Sequence, residues 1–352
     1  MSQRYQAVMR DLSEQLRQIY RGDAVALVPG GGTYAMESVA RQLATGERVM
    51  VLRNGWFSYR WSQIFEAGKI PAAETVLSAR RIGAGPQAPF APAPLEEVLQ
   101  RIRDERPAAL FAPHVETSAG MILPDSYLAA VAAELRAVGG LFVLDCVASG
   151  AVWVDMRRLG VDVLITAPQK GWSASPSAGI VLLSERARAR VRERKSTSFA
   201  VDLGRWLAIM ERYEAGGHGY HATMPTDALL GLRDAILEAE RWGLEQLEAA
   251  QWALGRQIRA RLAERGLPSV AAEGYEAPGV VVSYTTDPAL QSGRAFLEAG
   301  IQIAAGVPLM CEEGPDYQSF RVGLFGLDKL CDVAGTVARF ERALEAAVAP
   351  GD

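Results

Sequence analysis

Lysine is scarce in this chain, and one lysine stands apart from the others. Only four of the 37 basic residues are lysines, Lys69, Lys170, Lys195 and Lys329. Arginine cannot act as an amine nucleophile, so a lysine in an uncharged segment is a candidate for covalent chemistry. Lys195 lies in the charged run RERKS and two others lie in polar, turn-like contexts, whereas Lys170 lies in the neutral stretch TAPQKGWSAS. Lys170 is therefore the lysine that best suits an imine-forming amine.

A carboxylate follows the apolar segment that precedes this lysine. Asp145 ends the run LFVLD, where a charged group is unfavourable unless it meets a partner. A helix cap or a loop hydrogen bond is one explanation. Lys170 comes 25 residues later, a separation that suits one crossover to the next parallel strand. A carboxylate and a lysine at the ends of neighbouring strands would face the same cleft.

A third signal is the glycine run Gly30-Gly31-Gly32-Thr33, which follows the first apolar segment and opens a helical pattern. Glycines let the backbone approach an anion, and free N–H groups at a helix start bind phosphate. The run also fits G-x-G-x-x-A, so a dinucleotide site with Arg53 on the 2′-phosphate is a rival interpretation. A plain tight turn is another. A P-loop is excluded because no Gly-Lys-Ser/Thr follows.

Together, these three signals match the needs of pyridoxal 5′-phosphate (PLP). An amine must form an imine with the aldehyde, and a carboxylate must keep the pyridine nitrogen protonated so that the ring withdraws electrons. Lys170 and Asp145 supply these two groups, and the glycine run supplies a phosphate site. An NADP-dependent oxidoreductase would leave Lys170 and Asp145 unexplained.

Short apolar runs alternate with helical patterns over the first two thirds of the chain. This alternation predicts an α/β fold with a large, doubly wound, mainly parallel sheet. A long helical stretch begins near Asp227, and strand-like pieces at 279–285 and 320–326 predict a smaller carboxyl-terminal α+β domain. The predicted division is an amino-terminal helix (1–22), a large cofactor domain (23–240) and a small domain with its connecting helix (241–352).

The composition makes several classes of function improbable. A net charge of −4 without a basic tract argues against nucleic acid as a partner. Three scattered cysteines argue against a disulfide framework, and three histidines without ligand spacing predict no metal site. Neither a membrane span nor a signal peptide is visible, which predicts a cytoplasmic protein.

The sequence resembles the class V aminotransferases of PLP fold type I, in the alanine–glyoxylate and serine–pyruvate aminotransferase branch. The resemblance runs through nearly the whole chain, in family order, in the segments GGGTYAMES, RNGWFSYRW, HVETSAG, LDCVAS, ITAPQKGW, GYHATMP and FRVGLFG. It implies that Lys170 is the Schiff-base lysine and that Asp145 pairs with the pyridine nitrogen.

The same resemblance implies roles for further residues around the cofactor. It assigns Gly32, Thr33 and Gln169 to the phosphate, Ser118 to the ring hydroxyl, and Val147 and Phe57 to the two ring faces, with Trp56 as an alternative to Phe57. Tyr220 and Thr223 match residues that reach the phosphate of the neighbouring subunit, which implies an obligate homodimer with shared active sites. Arg321 matches the arginine that binds the substrate carboxylate, a task suited to its two parallel donors.

The predicted reaction is ping-pong transamination from a small amino acid, of the alanine or serine type, to a 2-oxo acid such as glyoxylate or pyruvate. A PLP-dependent lyase or cysteine desulfurase is the alternative, although Cys311 lies only ten residues before Arg321 and Cys146 adjoins Asp145. A non-catalytic relative is a further alternative. The sequence departs from the family pattern at Gly31, where several relatives have serine. It also opens at the helix that follows the family's Gly-Pro-Gly arm.

Overall fold

The computed structural model describes residues 2–348, and its elements alternate between strand and helix over the first half of the chain. The helices are α1 (Gln3–Tyr20), α2 (Gly32–Leu43), α3 (Trp56–Gly68), α4 (Leu95–Glu105), α5 (Asp125–Val138), α6 (Met156–Leu159), α7 (Glu185–Glu193), α8 (Leu203–Glu214), α9 (Thr226–Trp242), α10 (Leu244–Glu264), α11 (Pro288–Gln291), α12 (Arg294–Glu298), α13 (Leu327–Leu330) and α14 (Val333–Val348). The strands are β1 (Ala24–Pro29), β2 (Arg48–Arg53), β3 (Ala73–Ser78), β4 (Arg80–Arg81), β5 (Phe90–Ala91), β6 (Ala109–Pro113), β7 (Val115–Glu116), β8 (Met121–Ile122), β9 (Leu141–Asp145), β10 (Val163–Thr166), β11 (Ala178–Leu183), β12 (Val280–Tyr284), β13 (Ala304–Ala305) and β14 (Ser319–Gly323).

Within residues 2–348, seven strands form the large sheet, in the order β1-β11-β10-β9-β6-β2-β3. The five strands from β10 to β3 run parallel, while β11 is antiparallel to both β10 and β1. Asp145 pairs in register with Pro113 of β6 and Ile165 of β10. The carboxyl ends of the parallel strands therefore meet at one edge, where α/β sheets bind their ligands.

The central strands are apolar throughout because helices cover both faces of the sheet. Every residue of β6, β10 and β11 is buried, and β9 is buried except at Asp145. The predicted α/β fold with a large, mainly parallel sheet is confirmed.

A second, three-stranded antiparallel sheet has the order β12-β14-β13. Helices α10, α13 and α14 pack together beside this sheet, and α1 packs on α8 and α9 of the large layer. The long helical stretch predicted from the sequence divides at Gly243, whose φ is 93°, and continues through Gly255 as α10. The domain boundaries stay a prediction. No helix within residues 2–348 is both long enough and apolar enough to cross a membrane.

Candidate active site

A cleft of about 350 Å³ opens at the carboxyl ends of β6 and β9 and faces the small sheet. Most of the residues that line it come from the part of the chain that contains the large sheet: Gly32, Thr33, Met36, Phe57, Arg60, Pro113, Val115, Thr117, Asp145, Val147, Ala148, Gln169 and Lys170. The others lie in the small sheet or just after it: Val280, Ala304, Arg321, Gly323 and Phe325. The cleft therefore brings together Lys170, Asp145 and Arg321, which lie far apart in the sequence.

Asp145 reaches the cleft because the strand β9 ends there. One carboxylate oxygen, Oδ1, accepts a hydrogen bond of 2.9 Å from the backbone N–H of Val147. Burial raises the pKa of Asp145 to about 6, and the negative charge of Glu116 adds to this shift; the Val147 N–H and the Arg60 guanidinium oppose it. A cation placed against this carboxylate would favour its charged form.

Lys170 lies in the turn that follows β10. Burial lowers the pKa of its amine, and the positive charge of Arg321 acts in the same direction. Its Nζ lies 5.4 Å from the centre of the Phe325 ring. Burial and the charge of Arg321 both increase the fraction of neutral amine, which is the nucleophilic form.

Two residues of the glycine run, Gly32 and Thr33, also line the cleft. As the first residues of α2, Gly32 and Thr33 carry N–H groups that the helix itself cannot satisfy. Nη1 of Arg60 donates a 3.1 Å hydrogen bond to Oγ1 of Thr33. Arg60 forms no ion pair within residues 2–348, so a half-buried cation stands beside an anion-binding helix start.

The sequence interpretation missed Arg60. Its signal is its spacing: Arg60 follows Phe57 by three residues, which places both side chains on the same face of α3. The guanidinium carbon of Arg60 lies 5.4 Å from the centre of the Phe57 ring.

Two of the apolar side chains in the cleft could pack against the faces of a planar ligand ring. Phe57 and Val147 both line the cleft, and Trp56 does not. Gly32 packs closely on Val147, since a Cβ at Gly32 would lie 2.7 Å from Cγ2 of Val147. A larger residue at Gly32 would push these two elements apart.

Ser118, which the family resemblance assigns to the cofactor ring, is hydrogen-bonded to two groups of the protein. Its Oγ donates to Oε1 of Glu116 at 2.7 Å and accepts from the Trp56 N–H at 2.9 Å. Ser118 is fully buried and does not line the cleft, whereas its neighbour Thr117 does.

Arg321 extends from β14 on the far side of the cleft. Its Nε donates to the Ala305 carbonyl at 2.8 Å, and its guanidinium carbon lies 5.6 Å from the centre of the Phe57 ring. Burial lowers the pKa of Arg321, while the negative charge of Glu116 opposes the shift; an arginine stays charged in either case. No carboxylate within residues 2–348 forms an ion pair with it, so it can accept an external carboxylate.

Tyr220 and Thr223 lie in the segment between α8 and α9 and do not line the cleft of their own chain. The Tyr220 side chain is 74% exposed. Gln169, by contrast, lines the cleft beside Lys170, and its buried Oε1 has no hydrogen-bond partner among the described residues.

Two rival interpretations lose their supporting residues. Cys311 is buried outside the cleft, its Sγ lies 3.4 Å from the Arg53 carbonyl oxygen, and burial raises the pKa of its thiol to about 12. The thiol is therefore kept protonated and outside the cleft, whereas a desulfurase cysteine acts as a thiolate at the substrate. Arg53 donates to Ser62 at 2.9 Å and stacks on Tyr59, away from the glycine run.

The donor set suits PLP in four respects. The cleft contains one amine, one carboxylate at a strand end, a glycine-rich helix start, and two apolar walls from Phe57 and Val147. Gln169 also lines the cleft, and its buried Oε1 has no hydrogen-bond partner among the described residues. Lys170 would hold the aldehyde, Asp145 the ring nitrogen, the glycine-rich helix start the phosphate, and Phe57 and Val147 the ring faces.

Comparison with known proteins agrees with this geometry. The family model described as "Aminotransferase class-V" matches residues 1–311. A 2-aminoethylphosphonate–pyruvate transaminase of Burkholderia thailandensis is 30% identical over 340 residues, covering 92% of this chain and 84% of that protein. The small subunit of a soluble hydrogenase of Synechococcus sp. is 28% identical, covering 91% and 79%.

Among solved structures, an alanine–glyoxylate aminotransferase from Nostoc sp. superposes with a TM-score of 0.83 at 25% identity, covering 99% of this chain and 88% of that one. The family model covers most of the chain, and the fold extends the likeness to nearly all of it. The chain therefore belongs to the class V aminotransferases, which are PLP-dependent transaminases of fold type I.

Proposed function

We propose that the protein transfers the amino group of a small, uncharged amino acid, such as alanine or serine, to a 2-oxo acid such as glyoxylate or pyruvate. The observation that carries this proposal is the guanidinium of Arg321, which forms no ion pair among the described residues and shares one cleft with Lys170 and Asp145. Bound PLP supplies an aldehyde that condenses with amines and a ring that takes up the electrons released at the substrate carbon.

The residues of this chain then have separate tasks. Arg321 binds the substrate carboxylate, and Asp145 keeps a proton on the ring nitrogen. The Lys170 amine would hold the aldehyde and, when free, would take and return the proton of the substrate α-carbon. Phe57 and Val147 would pack against the ring.

The walls of the cleft support a small substrate. Val280, Ala304 and Gly323 present apolar or backbone surface beside Arg321, and Phe325 lies next to Lys170. Asp145 is the only acidic side chain that lines the cleft within the described residues, so a substrate with a basic side chain has no partner there. We infer that chain length and charge, rather than hydrogen bonding, limit the side chain of the amino donor.

A half-reaction tests this proposal. Purified enzyme with bound cofactor is mixed with L-alanine, L-serine or 2-aminoethylphosphonate in the absence of any acceptor, and the cofactor absorption is recorded. We expect alanine or serine to convert the cofactor to its amine form stoichiometrically, and glyoxylate or pyruvate to restore the original spectrum. This two-stage exchange is the mark of a ping-pong mechanism.

The variant Arg321→Gln should weaken the apparent affinity for these donors at least about tenfold, because a charge-assisted pair is lost. 2-Aminoethylphosphonate is the competing donor rather than a control, since its anionic group can also pair with Arg321. Conversion by 2-aminoethylphosphonate and by neither amino acid would refute the proposed substrate class.

A further inference from the structure

We propose that Glu116 is a positioning residue for the cofactor: it fixes the amino end of α3 and thereby places Phe57 and Arg60 in the cleft. The inference rests on the proposed function, because it concerns the same site. Glu116 is fully buried, and no cation within residues 2–348 forms an ion pair with it. A buried carboxylate without a cation needs another source of stabilisation.

The hydrogen bonds to Glu116 supply that stabilisation. Oε1 accepts from the backbone N–H groups of Phe57 (3.2 Å) and Ser118 (3.1 Å) and from the Ser118 hydroxyl (2.7 Å). Oε2 accepts from the Ser58 N–H (2.8 Å), and the Ser58 hydroxyl lies 2.7 Å away. Two of these donors are free N–H groups in the first turn of α3, where a negative charge is favoured.

The backbone is shaped to bring the two partners together. A Cβ at Gly55 would lie 2.1 Å from the Ser118 Oγ and 2.7 Å from the Glu116 Cγ, so only glycine admits this approach. The Ser118 hydroxyl also accepts from the Trp56 N–H, which ties a third N–H group of α3 to the same cluster. Glu116 and Ser118 thus fix the first turn of α3 through three of its backbone N–H groups.

Glu116 acts on the cleft through α3, because Phe57 follows the helix start directly and Arg60 lies one turn further on the same face. Tilting this turn would move the ring wall and the cation together. The charge of Glu116 also reaches the cleft, since it raises the pKa of Asp145 and opposes the lowering of the pKa of Arg321.

Glu116→Gln tests the idea with little change in shape. An amide offers one acceptor oxygen and turns the other position into a donor, so it faces N–H groups that cannot rotate away. The matched control is Asp162→Asn. Asp162 is also buried and accepts from the Phe142 N–H and the Ser184 hydroxyl. Unlike Glu116 it also forms an ion pair, with Arg186 at 3.3 Å, and none of these partners lies in α3 or in the cleft.

Three quantities are measured for wild type and both variants: the melting temperature of the apoprotein, the Kd for PLP by equilibrium dialysis, and the visible circular dichroism per bound cofactor. We expect both variants to melt earlier. Only Glu116→Gln should weaken PLP binding, by about tenfold or more, and reduce the dichroism, which reports the orientation of the ring.

If Glu116→Gln does not fold, Ser118→Ala takes its place, because it keeps the carboxylate and removes the hydroxyl bridge to the Trp56 N–H. It should show the same two cofactor effects at smaller size. A lowered melting temperature with wild-type Kd and dichroism would overturn the inference, since Glu116 would then be structural only. Wild-type protein that binds no PLP would instead refute the proposed function, and the inference with it.

Discussion

Asp145 has no cationic partner within hydrogen-bonding distance in the described part of the chain, although it stands at a buried strand end. Only the Val147 N–H is hydrogen-bonded to its carboxylate, and burial raises its pKa to about 6. The charged form is therefore destabilised by burial in the apoprotein, and a protonated ring nitrogen placed against it would stabilise it. In this way the site favours function over apoprotein stability.

The raised pKa of Asp145 predicts a pH dependence of apoprotein stability. Because the folded state binds the Asp145 proton more tightly than the unfolded state, the added stability is full below about pH 4 and is lost as pH rises through about 6. The free energy of unfolding of apo wild type, relative to apo Asp145→Asn, should fall over that range by on the order of 3 kcal/mol at most. Urea unfolding at a series of pH values measures it.

Saturating PLP is the control for this experiment. The asparagine variant should then be the less stable protein at neutral pH, because it cannot hold the protonated ring nitrogen. If the difference in free energy of unfolding between the two apoproteins does not change with pH, burial does not destabilise the charged form of Asp145.

Single residues also mark the limits of reading the sequence. Lys170 and Asp145 could be found because their types are rare in such apolar contexts. The role of Ser118 at the cofactor stays a prediction; Thr117 lines the cleft and Ser118 is hydrogen-bonded to Glu116, and the sequence does not tell which hydroxyl Glu116 engages. Arg60 was missed because arginine is common in this chain, and its pairing with Thr33 exists only after folding.

At the scale of elements, the apolar runs located the central strands well, because helices cover both of their faces. The edge strand β3 escaped notice because most of it is only partly buried. The antiparallel direction of β11 was also invisible, since a fully buried strand has the same composition in either direction. The helix α3 matters most for function, because one of its faces delivers Phe57 and Arg60 to the cleft.

The placement of Arg60 on α3 predicts a contact with the cofactor phosphate. Arg60→Gln should weaken the binding of PLP about tenfold, because an arginine–phosphate pair is charge-assisted. It should leave the binding of pyridoxal, which has no phosphate, unchanged. Arg60→Lys is the matched variant and should recover part of the PLP affinity, since it keeps the charge but not the fork. An equal loss for PLP and pyridoxal would assign Arg60 to the ring rather than to the phosphate.

At the scale of the molecule, the cleft of one chain lacks the two residues that the family resemblance assigns to a neighbouring subunit. Tyr220 is exposed, and Phe199, 78% exposed, lies in the segment that precedes α8. Apolar side chains exposed in this way are typical of a surface that another chain covers. We propose a homodimer in which Tyr220 and Thr223 complete the partner's phosphate site.

Subunit mixing tests this arrangement. Lys170→Ala and Tyr220→Ala should each be nearly inactive alone. A mixed dimer, co-expressed with two different tags and purified on both, should regain activity, because one of its two sites combines an intact Lys170 with the other subunit's intact Tyr220. Two wild-type subunits with the same tags give the reference rate. No gain in the mixed dimer would place Tyr220 in the site of its own chain.

The proposed function depends above all on the amine of Lys170, which we expect to hold PLP covalently. Borohydride reduction of the enzyme with its cofactor, followed by proteolysis and mass spectrometry, measures this directly. We expect one reduced pyridoxyl phosphate group per chain, on the peptide that contains Lys170, and none in Lys170→Ala. A label on Lys69, Lys195 or Lys329, or no label on any peptide, would contradict it.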